Sequence, residues 1–293
     1  MRPPTVDARA RGVSVRVSTY SLVAYDGERS EWGVAVQSKF PAIGALTPWA
    51  EAGVGAIATQ SWIEVRYGRE GLALLREGVP AEEALERLKA GDEGREKRQV
   101  GIVDRGGRAA TFTGAECTPW AGGRLGPGYA AQGNMLVSQE TVDAMAETFE
   151  ATQGPLAERL LAALKAAQAA GGDRRGQQAA ALKVVRVGAG YGGSGIVVDL
   201  RVDDHPEPLT ELDRLYRLHE RYFGSTPREL WVPATADLTR RIRGRLRELG
   251  YGSGDLAADL EAWAGYENLE ERLDGIDAFD PILLEELLGR PAA

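Results

Sequence analysis

Short apolar segments bounded by turn residues form most of the first part of the chain. Residues 18–26 and 32–40 are two such segments, and Asp26-Gly27-Glu28-Arg29-Ser30 between them predicts the turn of a β-hairpin. Further strands are predicted at 42–47, 53–60, 99–104, 108–113, 129–137, 178–187 and 196–203. Apolar residues at helical spacing predict helices at 67–77, 81–90, 138–152, 155–170 and 208–222.

The order of these elements discriminates between classes of fold. Strands and helices come in groups, so the regular β-α-β alternation of a doubly wound parallel sheet is absent. Hairpins indicate mainly antiparallel sheets, and strands that are apolar nearly throughout need cover on both faces. We therefore predict an α+β fold in which two stacked sheets lie between outer helices, giving four α-β-β-α layers.

Composition changes after Gly224, where strand patterns give way to helical ones. Helices are predicted at 235–249, 255–264, 266–273 and 280–288. The expected organisation has three parts: a disordered extension or propeptide at 1–17, a main domain at 18–224 and a small helical domain at 225–293. A start codon assigned too far upstream is an alternative explanation of residues 1–17.

Charge and hydropathy exclude several classes of partner. The net charge of −8 and the pI near 5.1 argue against nucleic acid as the main partner, because phosphate binding needs a basic face. No segment approaches the ~20 apolar residues of a membrane span, so no membrane partner is expected. Residues 1–17 have no apolar core of a secretory signal, and we expect a cytoplasmic protein.

The inventory of reactive side chains narrows the chemistry. Cys117 is the single cysteine, and His205 and His219 are the two histidines, so a thiolate or three-histidine metal site is excluded. No G-x-S-x-G motif supports a serine triad. We expect neither a metal nor an organic cofactor, and an enzyme built from this chain would use hydroxyl, amine, carboxylate and amide groups.

Thr19 is the best nucleophile candidate because it begins a predicted strand. A threonine hydroxyl needs a base, and a free α-amine on the same residue can act as that base near neutral pH. Eighteen residues precede Thr19, so this chemistry requires their removal. The alternatives are that Ser18 becomes the first residue, or that Thr19 is a buried strand residue without chemistry.

Several motifs, in matching order, resemble an uncharacterised bacterial and archaeal family of the N-terminal nucleophile (Ntn) hydrolase superfamily. They are TYSLVA (19–24), GVAVQSKF (33–40), GVGAIATQ (53–60), YG and GL (67–68 and 71–72), QVGIVD (99–104), QGN (132–134), GGDRRG (171–176) and VDLRVDDHP (198–206). The resemblance covers about residues 18–220. It implies a four-layer α-β-β-α fold, Thr19 as the nucleophile position and a homo-oligomer, but it implies no particular substrate.

The C-terminal part resembles a domain described as peptidoglycan-binding, which some members of this family carry. The matching stretches are LGYG (249–252), LEAWAG (260–265) and ENLEER (267–272). The resemblance implies peptidoglycan fragments as a partner, which fits poorly with a cytoplasmic location. Trp231, Trp263 and Tyr266 either stack on sugar rings or form the core of this small domain.

Two further residues are candidates for the catalytic site. Lys39 ends the strand that pairs with that of Thr19, and its charge would depress the pKa of the Thr19 amine; the alternative is a solvated strand-end lysine. Asn134 follows a glycine and suits an oxyanion donor, although asparagine after glycine is also ordinary turn chemistry.

Four residues are candidates for substrate binding. Gln60 ends a predicted strand where a pocket would lie. Asp173, Arg174 and Arg175 form a compact charged loop, and arginine forks suit a substrate carboxylate. The alternative for this loop is pairing with Asp203 or Asp204, which would hold two elements together.

Two hypotheses of function follow. The first is an amidohydrolase that cleaves a C–N amide bond of a small molecule or peptide, with Thr19 attacking and Lys39 and Asn134 assisting. The second is a non-catalytic binding protein on the same scaffold, in which residues 225–293 bind cell-wall or peptide material.

Overall fold

The structure is a computed structural model that describes residues 16–17 and 19–289. The remainder of the predicted extension and Ser18 lie outside the described residues. The chain divides into two compact units between Asp213 and Arg214, and each is described by itself. The sequence placed the domain boundary further along, near 224.

The first unit consists of antiparallel strands and of helices that come in pairs. The described strands are β1 (Arg16–Val17), β2 (Thr19–Asp26), β3 (Glu31–Ser38), β4 (Pro48–Glu51), β5 (Gly55–Trp62), β6 (Arg98–Asp104), β7 (Ala109–Thr113), β8 (Gly122–Gly126), β9 (Tyr129–Asn134), β10 (Ala179–Val185) and β11 (Ile196–Val202). The helices are α1 (Arg66–Arg76), α2 (Ala81–Ala90), α3 (Glu140–Ala151), α4 (Leu156–Ala169) and α5 (Pro208–Phe223), which continues into the second unit.

The strands form two sheets that pack face to face. The first sheet has the order β1-β5-β6-β7, with β4 pairing with the same edge of β5 as β1; the second has the order β11-β10-β3-β2-β9-β8. Helices α1 and α2 cover the outer face of the first sheet, and α3 and α4 cover the second. The predicted α+β fold with α-β-β-α layers is therefore confirmed.

The space between the sheets is filled by small and β-branched side chains. Val23 and Val34 lie opposite each other in the second sheet and pack against Ala56, Ala58 and Val103 of the first. Alanine and valine keep the sheets close, and sheets that are covered on both faces bury nearly every strand residue. These strands consequently lack the alternation of apolar and polar residues that a half-exposed strand shows.

One predicted strand of the first unit is wrong, and two strands of this unit were not predicted. Residues 42–47 do not form a strand but contain a 3-10 helix at Ile43–Ala45, because the left-handed Ala42 (φ 52°) turns the chain and its amide bonds to the carbonyl of Asp203. Strand β4, which begins shortly after this 3-10 helix, was not predicted. Sequence also missed β8, since its glycines and single apolar side chain give no strand pattern.

The second unit contains α6 (Ala236–Glu248), α7 (Leu256–Glu267), α8 (Pro281–Leu288) and a short pair of strands, β12 (Val232–Pro233) and β13 (Ala278–Phe279). Thr235, Asp255 and Asp280 cap the N-termini of these helices through their side-chain oxygens. The predicted helix at 266–273 is wrong. Left-handed Asn268 (φ 59°) ends α7, and only a 3-10 turn at Glu270–Arg272 follows.

The core of the second unit consists of apolar side chains from its helices together with a buried ion pair. Trp263 is 3% exposed and packs with the apolar faces of α6, α7 and α8, so it is a core residue. Arg272 and Asp280 are also buried, and their side chains lie 2.7 Å apart. The Arg272 guanidinium also donates to the carbonyls of Glu220 and Arg221 and thereby joins the end of α5 to this core.

Candidate active site

Thr19 faces the space between the two sheets. It is the first residue of β2 and lies opposite Ser38 of β3 and Asn134 of β9. Its side chain is on the same face as Ser21 and Val23, which are two and four positions further along the strand. The residue is fully buried, and its Oγ1 donates a hydrogen bond to Ser38 Oγ at 3.2 Å.

The chain before Thr19 belongs to the other sheet. Arg16 and Val17 pair antiparallel with Trp62 and Ser61 at the end of β5, so Val17 belongs to the first sheet whereas Thr19 belongs to the second. Ser61 has a left-handed φ of 69°, which is uncommon for a residue with a side chain. In this chain the nitrogen of Thr19 is part of a peptide bond and cannot serve as a base.

Two side-chain amides hold the carbonyl of Thr19. Gln60 Nε2, from the first sheet, donates to it at 3.3 Å, and Asn134 Nδ2, from the neighbouring strand, donates at 3.5 Å. The structure therefore brings together two of the residues that the sequence singled out. Their contact is with the backbone of the nucleophile candidate.

Behind these two amides lies a set of buried polar residues that we name the inter-sheet amide network. Its members are Ser21, Gln60, Gln99, Gln132 and Asn134, each at most 1% exposed. Gln99 is the centre: its Oε1 accepts from Gln60 at 2.8 Å and from Asn134 at 2.9 Å. Its Nε2 donates to the Gly133 carbonyl at 2.7 Å and to Thr113 Oγ1 at 2.8 Å.

The network continues along the second sheet and closes on Gln60. Gln132 Nε2 donates to Ser21 Oγ at 2.7 Å, and Ser21 Oγ donates to Gln60 Oε1 at 2.6 Å. Each neutral amide has a partner, so the polar groups are buried without the penalty of an unsatisfied donor or a buried charge. The hydrogen bonds fix the orientation of Gln60 and Asn134 and, through them, of Thr19.

Lys39 is not directed at Thr19. Its Nζ donates to the carbonyl of Gln177 at 3.0 Å, the residue is exposed, and its backbone amide donates to Asp173 Oδ2. The reason is the alternation of a strand: Ser38 is inward and opposite Thr19, so the next residue points away from it. These contacts fit the alternative of a solvated strand-end lysine and do not support a catalytic role for Lys39.

The loop of Asp173, Arg174 and Arg175 is held together by its own contacts. Asp173 is buried and accepts from the amide of Arg175 at 2.9 Å and from its guanidinium at 3.0 Å. Arg174 donates to the carbonyls of Pro119 and Leu136. Asp173 thus supplies a carboxylate to Arg175 within the loop itself, whereas the alternative prediction for this loop was pairing with Asp203 or Asp204.

Two further ionisable groups near this end of the sheets are kept neutral. Burial, together with the charge of Asp173, raises the pKa of the Tyr20 phenol well above its usual value, and its hydroxyl donates to Gln168 Oε1. Burial also raises the pKa of the Cys117 thiol, whose Sγ donates to the carbonyl of Arg98. Neither group is poised as a nucleophile or base.

Sequence reasoning missed Ser38, Ser21, Gln99 and Gln132. The sequence does carry a signal for them. Each is a polar residue in a mostly apolar strand, and it lies an even number of positions from a residue that faces the other sheet. Counting back from the hairpin turn places Ser38 opposite Thr19. Gln99 and Gln132 stand out only when two sheets are known to face each other, which hairpin patterns alone do not establish.

The described part of the chain contains neither a metal-binding cluster of side chains nor a membrane-spanning helix. Among residues 16–17 and 19–289, no group of histidine, cysteine or acidic side chains is arranged to hold a metal ion. No described helix is both long and apolar enough to cross a bilayer.

The layers define the first unit as a four-layer α-β-β-α sandwich, with Thr19 facing inward at the start of a strand. The family model described as "Family of unknown function (DUF1028)" matches residues 19–212, and the chain belongs to this family. The model described as "Putative peptidoglycan binding domain" matches residues 223–285. These matches confirm the resemblance drawn from the sequence motifs.

Solved structures include a relative in the same family. The crystal structure of a DUF1028 protein from Silicibacter pomeroyi is 31% identical, with a TM-score of 0.65, and the match covers 72% of this chain and 95% of that one. Anbu (ancestral β-subunit) from Yersinia bercovieri is 12% identical, with a TM-score of 0.30 and coverage of 71% and 98%. A Gly-1 mutant of Anbu from a Hyphomicrobium strain is 11% identical, with a TM-score of 0.32 and coverage of 69% and 95%. No curated protein matches the chain.

Proposed function

We propose that the first unit is an Ntn-type amidohydrolase that cleaves a C–N amide bond of a small molecule or peptide, once the peptide bond before Thr19 has been cut. The observation that carries this proposal is the setting of Thr19. Its hydroxyl is bonded to Ser38 Oγ, and two neutral amides hold its carbonyl, at the start of a strand that faces the inter-sheet space. Such anchoring fixes a nucleophile before the substrate arrives.

The reaction would use only groups of Thr19 itself and water. The free α-amine takes the proton of Oγ1 as the oxygen attacks the amide carbon, which gives a tetrahedral oxyanion. The C–N bond breaks as the ammonium proton passes to the leaving nitrogen, and the acyl group stays on Oγ1 as an ester. Water, deprotonated by the same amine, then releases the acid and restores the hydroxyl.

For Lys39 and Asn134, predicted as catalytic residues, and for Gln60, predicted to bind substrate, we propose roles that differ from those predictions. Asn134 and Gln60 position Thr19 through its carbonyl, because their amide hydrogens are directed there and to Gln99 or Gln132. Lys39 receives no step, since its ammonium bonds to the Gln177 carbonyl. Pairing of Arg16–Val17 with the end of β5 supports an elongated substrate, because this edge accepts an extended backbone beside Thr19.

The test is a chain that begins at Thr19, made by cleaving a fusion partner directly before this residue. We expect it to hydrolyse at least one member of a panel of aminocoumarin amides of amino acids and short peptides. Thr19→Ala should lower the rate at least ~1000-fold, whereas Thr19→Ser should retain part of it. The full chain, in which the Thr19 nitrogen is an amide, should be inactive.

The control for this test is Thr210→Ala, which removes an exposed threonine of α5. It should leave the rate unchanged. Hydrolysis that survives Thr19→Ala would exclude Thr19 as the nucleophile. A folded chain that begins at Thr19 and hydrolyses none of the amides would favour the second function below.

The second candidate function is that of a non-catalytic binding protein whose C-terminal part binds peptidoglycan fragments. The family match of residues 223–285 and the ring of Tyr266, which is 77% exposed, favour it. Trp263 is buried in the core, and the guanidinium of Arg228 covers the ring of Trp231 at 4.2 Å. Among the described residues of this domain, Tyr266 is therefore the most exposed aromatic ring and the best placed for stacking on a sugar.

Cosedimentation with purified insoluble peptidoglycan tests this second function. The full chain should pellet, and a chain that ends at Phe223 should stay in solution. Tyr266→Ala should lower the bound fraction, whereas Tyr191→Ala, which removes a similarly exposed ring from the first unit, should not. Equal binding by the chain that ends at Phe223 would contradict this function.

A further inference from the structure

The inner face of the second sheet carries charges at the edge formed by β10 and β11. Lys183 lies opposite Val34 in the ladder, so its side chain is on the face that packs against the first sheet. Asp199 lies opposite Lys183, and Arg201 lies opposite Ala181, which is buried on the same face. Their side chains are 24% (Lys183), 37% (Asp199) and 46% (Arg201) exposed, so this part of the inner face is open to solvent.

These charges border a cleft with one apolar wall. The cavity measures about 240 Å³ and lies between β4 and the β10–β11 edge, with Lys183, Asp199 and Arg201 on one side. Pro48, Trp49 and Leu72 line the other side. A concave site that combines an aromatic wall with a few polar groups suits a small ligand, and the volume limits that ligand to a compact one.

The cleft is separate from the surroundings of Thr19. Lys183 pairs with Val34, which in turn pairs with Val23 of β2, four residues from Thr19. The strand of Lys183, β10, lies two strands away from β2. Strand geometry places the two points about 13 Å apart along the strands and about 10 Å apart across them. A ligand in the cleft would not touch the inter-sheet amide network.

The two cationic side chains of the cleft differ in how closely they pair with a carboxylate. Lys183 Nζ lies 2.7 Å from Asp199 Oδ2, which is a close ion pair. Arg201 has a looser partner, since its Nε lies 3.9 Å from Asp203 Oδ1. The lining therefore carries two positive charges and one negative charge, and the guanidinium is the group with most capacity for a further anion.

The stem of Arg201 packs against Gly44 on one side. A side-chain carbon built on Gly44 would lie 2.8 Å from Arg201 Cδ and 2.7 Å from Ala181 Cβ, so the glycine lets the arginine stem lie flat beside the 3-10 helix. Packing of the stem on one side restricts its rotamers, so the guanidinium loses less entropy when it binds an anion.

We infer that this cleft binds a small molecule with one carboxylate and a compact apolar body. The carboxylate would pair with the fork of Arg201, and the apolar body would lie against Trp49, Pro48 and Leu72. A dianion such as a phosphate monoester is disfavoured, because Asp199 also lines the cleft and would repel the second charge. This site goes beyond the proposed hydrolase reaction and does not depend on it.

A different explanation of the same charges makes the opposite prediction. Charged side chains on the inner face of an edge strand also protect a sheet against pairing with another chain. In that case the cleft binds no ligand, and replacing Arg201 changes only solubility or self-association.

Isothermal titration calorimetry on the full chain distinguishes the two explanations. The probes are phenylacetate and indole-3-acetate, each compared with its uncharged amide. We expect saturable one-to-one binding of at least one carboxylate and a loss of affinity of about tenfold or more with Arg201→Gln. Lys183→Met should also weaken binding, because it leaves the charge of Asp199 uncompensated beside the incoming anion.

The matched control is Arg87→Gln, since Arg87 is similarly exposed and also pairs with a single carboxylate, on α2. It should bind the carboxylates like the parent chain, and all variants should have the same circular dichroism spectrum. Absence of saturable binding for both carboxylates would overturn the inference. Equal affinity for carboxylate and amide, or unchanged affinity in Arg201→Gln, would overturn it as well.

Discussion

At the scale of residues, the surroundings of Thr19 are built from neutral hydrogen-bonding groups. Gln99 connects the two sheets because its carbonyl oxygen accepts from Gln60 and Asn134, one from each sheet. A glutamine can do this only because it carries both an acceptor and donors on one planar group. The geometry of the candidate nucleophile therefore depends on a residue that does not touch it.

Replacing this central glutamine should destabilise the protein. Gln99→Leu leaves the amides of Gln60 and Asn134 without their shared acceptor in a buried place, and we expect a loss of about 2–4 kcal/mol in the free energy of unfolding. Urea denaturation followed by circular dichroism measures it. Gln139→Leu, which removes an exposed glutamine from the start of α3, should change stability by less than about 0.5 kcal/mol. Similar losses in both variants would contradict this account.

Three tyrosines should make stability fall at alkaline pH. Burial raises the pKa values of Tyr20 and Tyr67, and burial with a hydrogen bond to Glu150 raises that of Tyr129 to about 12. Below the ordinary value of 10.0 these phenols are neutral in both states, and their contribution to stability is complete. Above it only the unfolded chain releases the protons, so stability declines as the pH rises from 10 towards 12.

The ultraviolet absorbance of tyrosinate, measured during a pH titration, checks this expectation. Of the nine tyrosines, some should ionise near the ordinary value, and Tyr20, Tyr67 and Tyr129 only at higher pH or on unfolding. Tyr129→Phe should make the decline in stability shallower. A single transition near pH 10 for all tyrosines of the folded protein would be inconsistent with the buried phenols.

At the scale of elements, the contact between the two sheets depends on the position of a glycine in β6. A side-chain carbon built on Gly101 of β6 would lie 2.2 Å from Gln132 Oε1 of the facing sheet. The glycine thus leaves the space in which the amide of Gln132 reaches Ser21. The glycine of one strand makes room for the glutamine of the facing strand. The sequence of neither strand alone predicts this contact.

Gly101→Ala should displace Gln132 and break its hydrogen bond to Ser21. We expect a loss of about 1–3 kcal/mol in the free energy of unfolding, because an extra carbon is forced into a filled space. The matched control is Gly106→Ala in the β6–β7 turn, where the added carbon would meet only Asp104 Oδ1 at 3.5 Å. Thermal denaturation compares the two; an equal or larger loss in the control would contradict the role given to Gly101.

At the scale of the whole molecule, the chain has two compact units with separate cores. The second unit is small, and part of its core is the buried pair of Arg272 and Asp280. A buried charge that loses its partner is strongly unfavourable, so this pair makes the small core sensitive to single changes.

Arg272→Met should destabilise the second unit by about 3–5 kcal/mol, because it leaves Asp280 buried without its counter-charge. Arg240→Met, which removes a highly exposed arginine paired with Asp237, should have little effect. Hydrogen exchange measured by mass spectrometry resolves the segments. Faster exchange should appear at α6, α7 and α8, and unchanged exchange in α8 would contradict the assigned role of the pair.

The sequence by itself determined most of the elements and how they group. Hairpin turns, apolar runs and helical spacing are local properties, and they led to the α+β sandwich, to most helix bounds and to Thr19 at the start of β2. Local patterns failed where conformation depends on distant contacts, as at residues 42–47, where the chain turns against Asp203. The same limit applied to β8, whose glycines are extended only because β9 pairs with them.

Only the tertiary structure decided which side chains meet at Thr19. Sequence favoured Lys39 for its charge, but the alternation of β3 places Ser38 beside the hydroxyl and directs the lysine away. Gln60 and Asn134 were recognised as candidates, yet their contact with the Thr19 carbonyl arises from the register of β2 with β9 and from the packing of β5 on the opposite sheet. Register and sheet packing join residues far apart in the chain, and no local pattern encodes such distances.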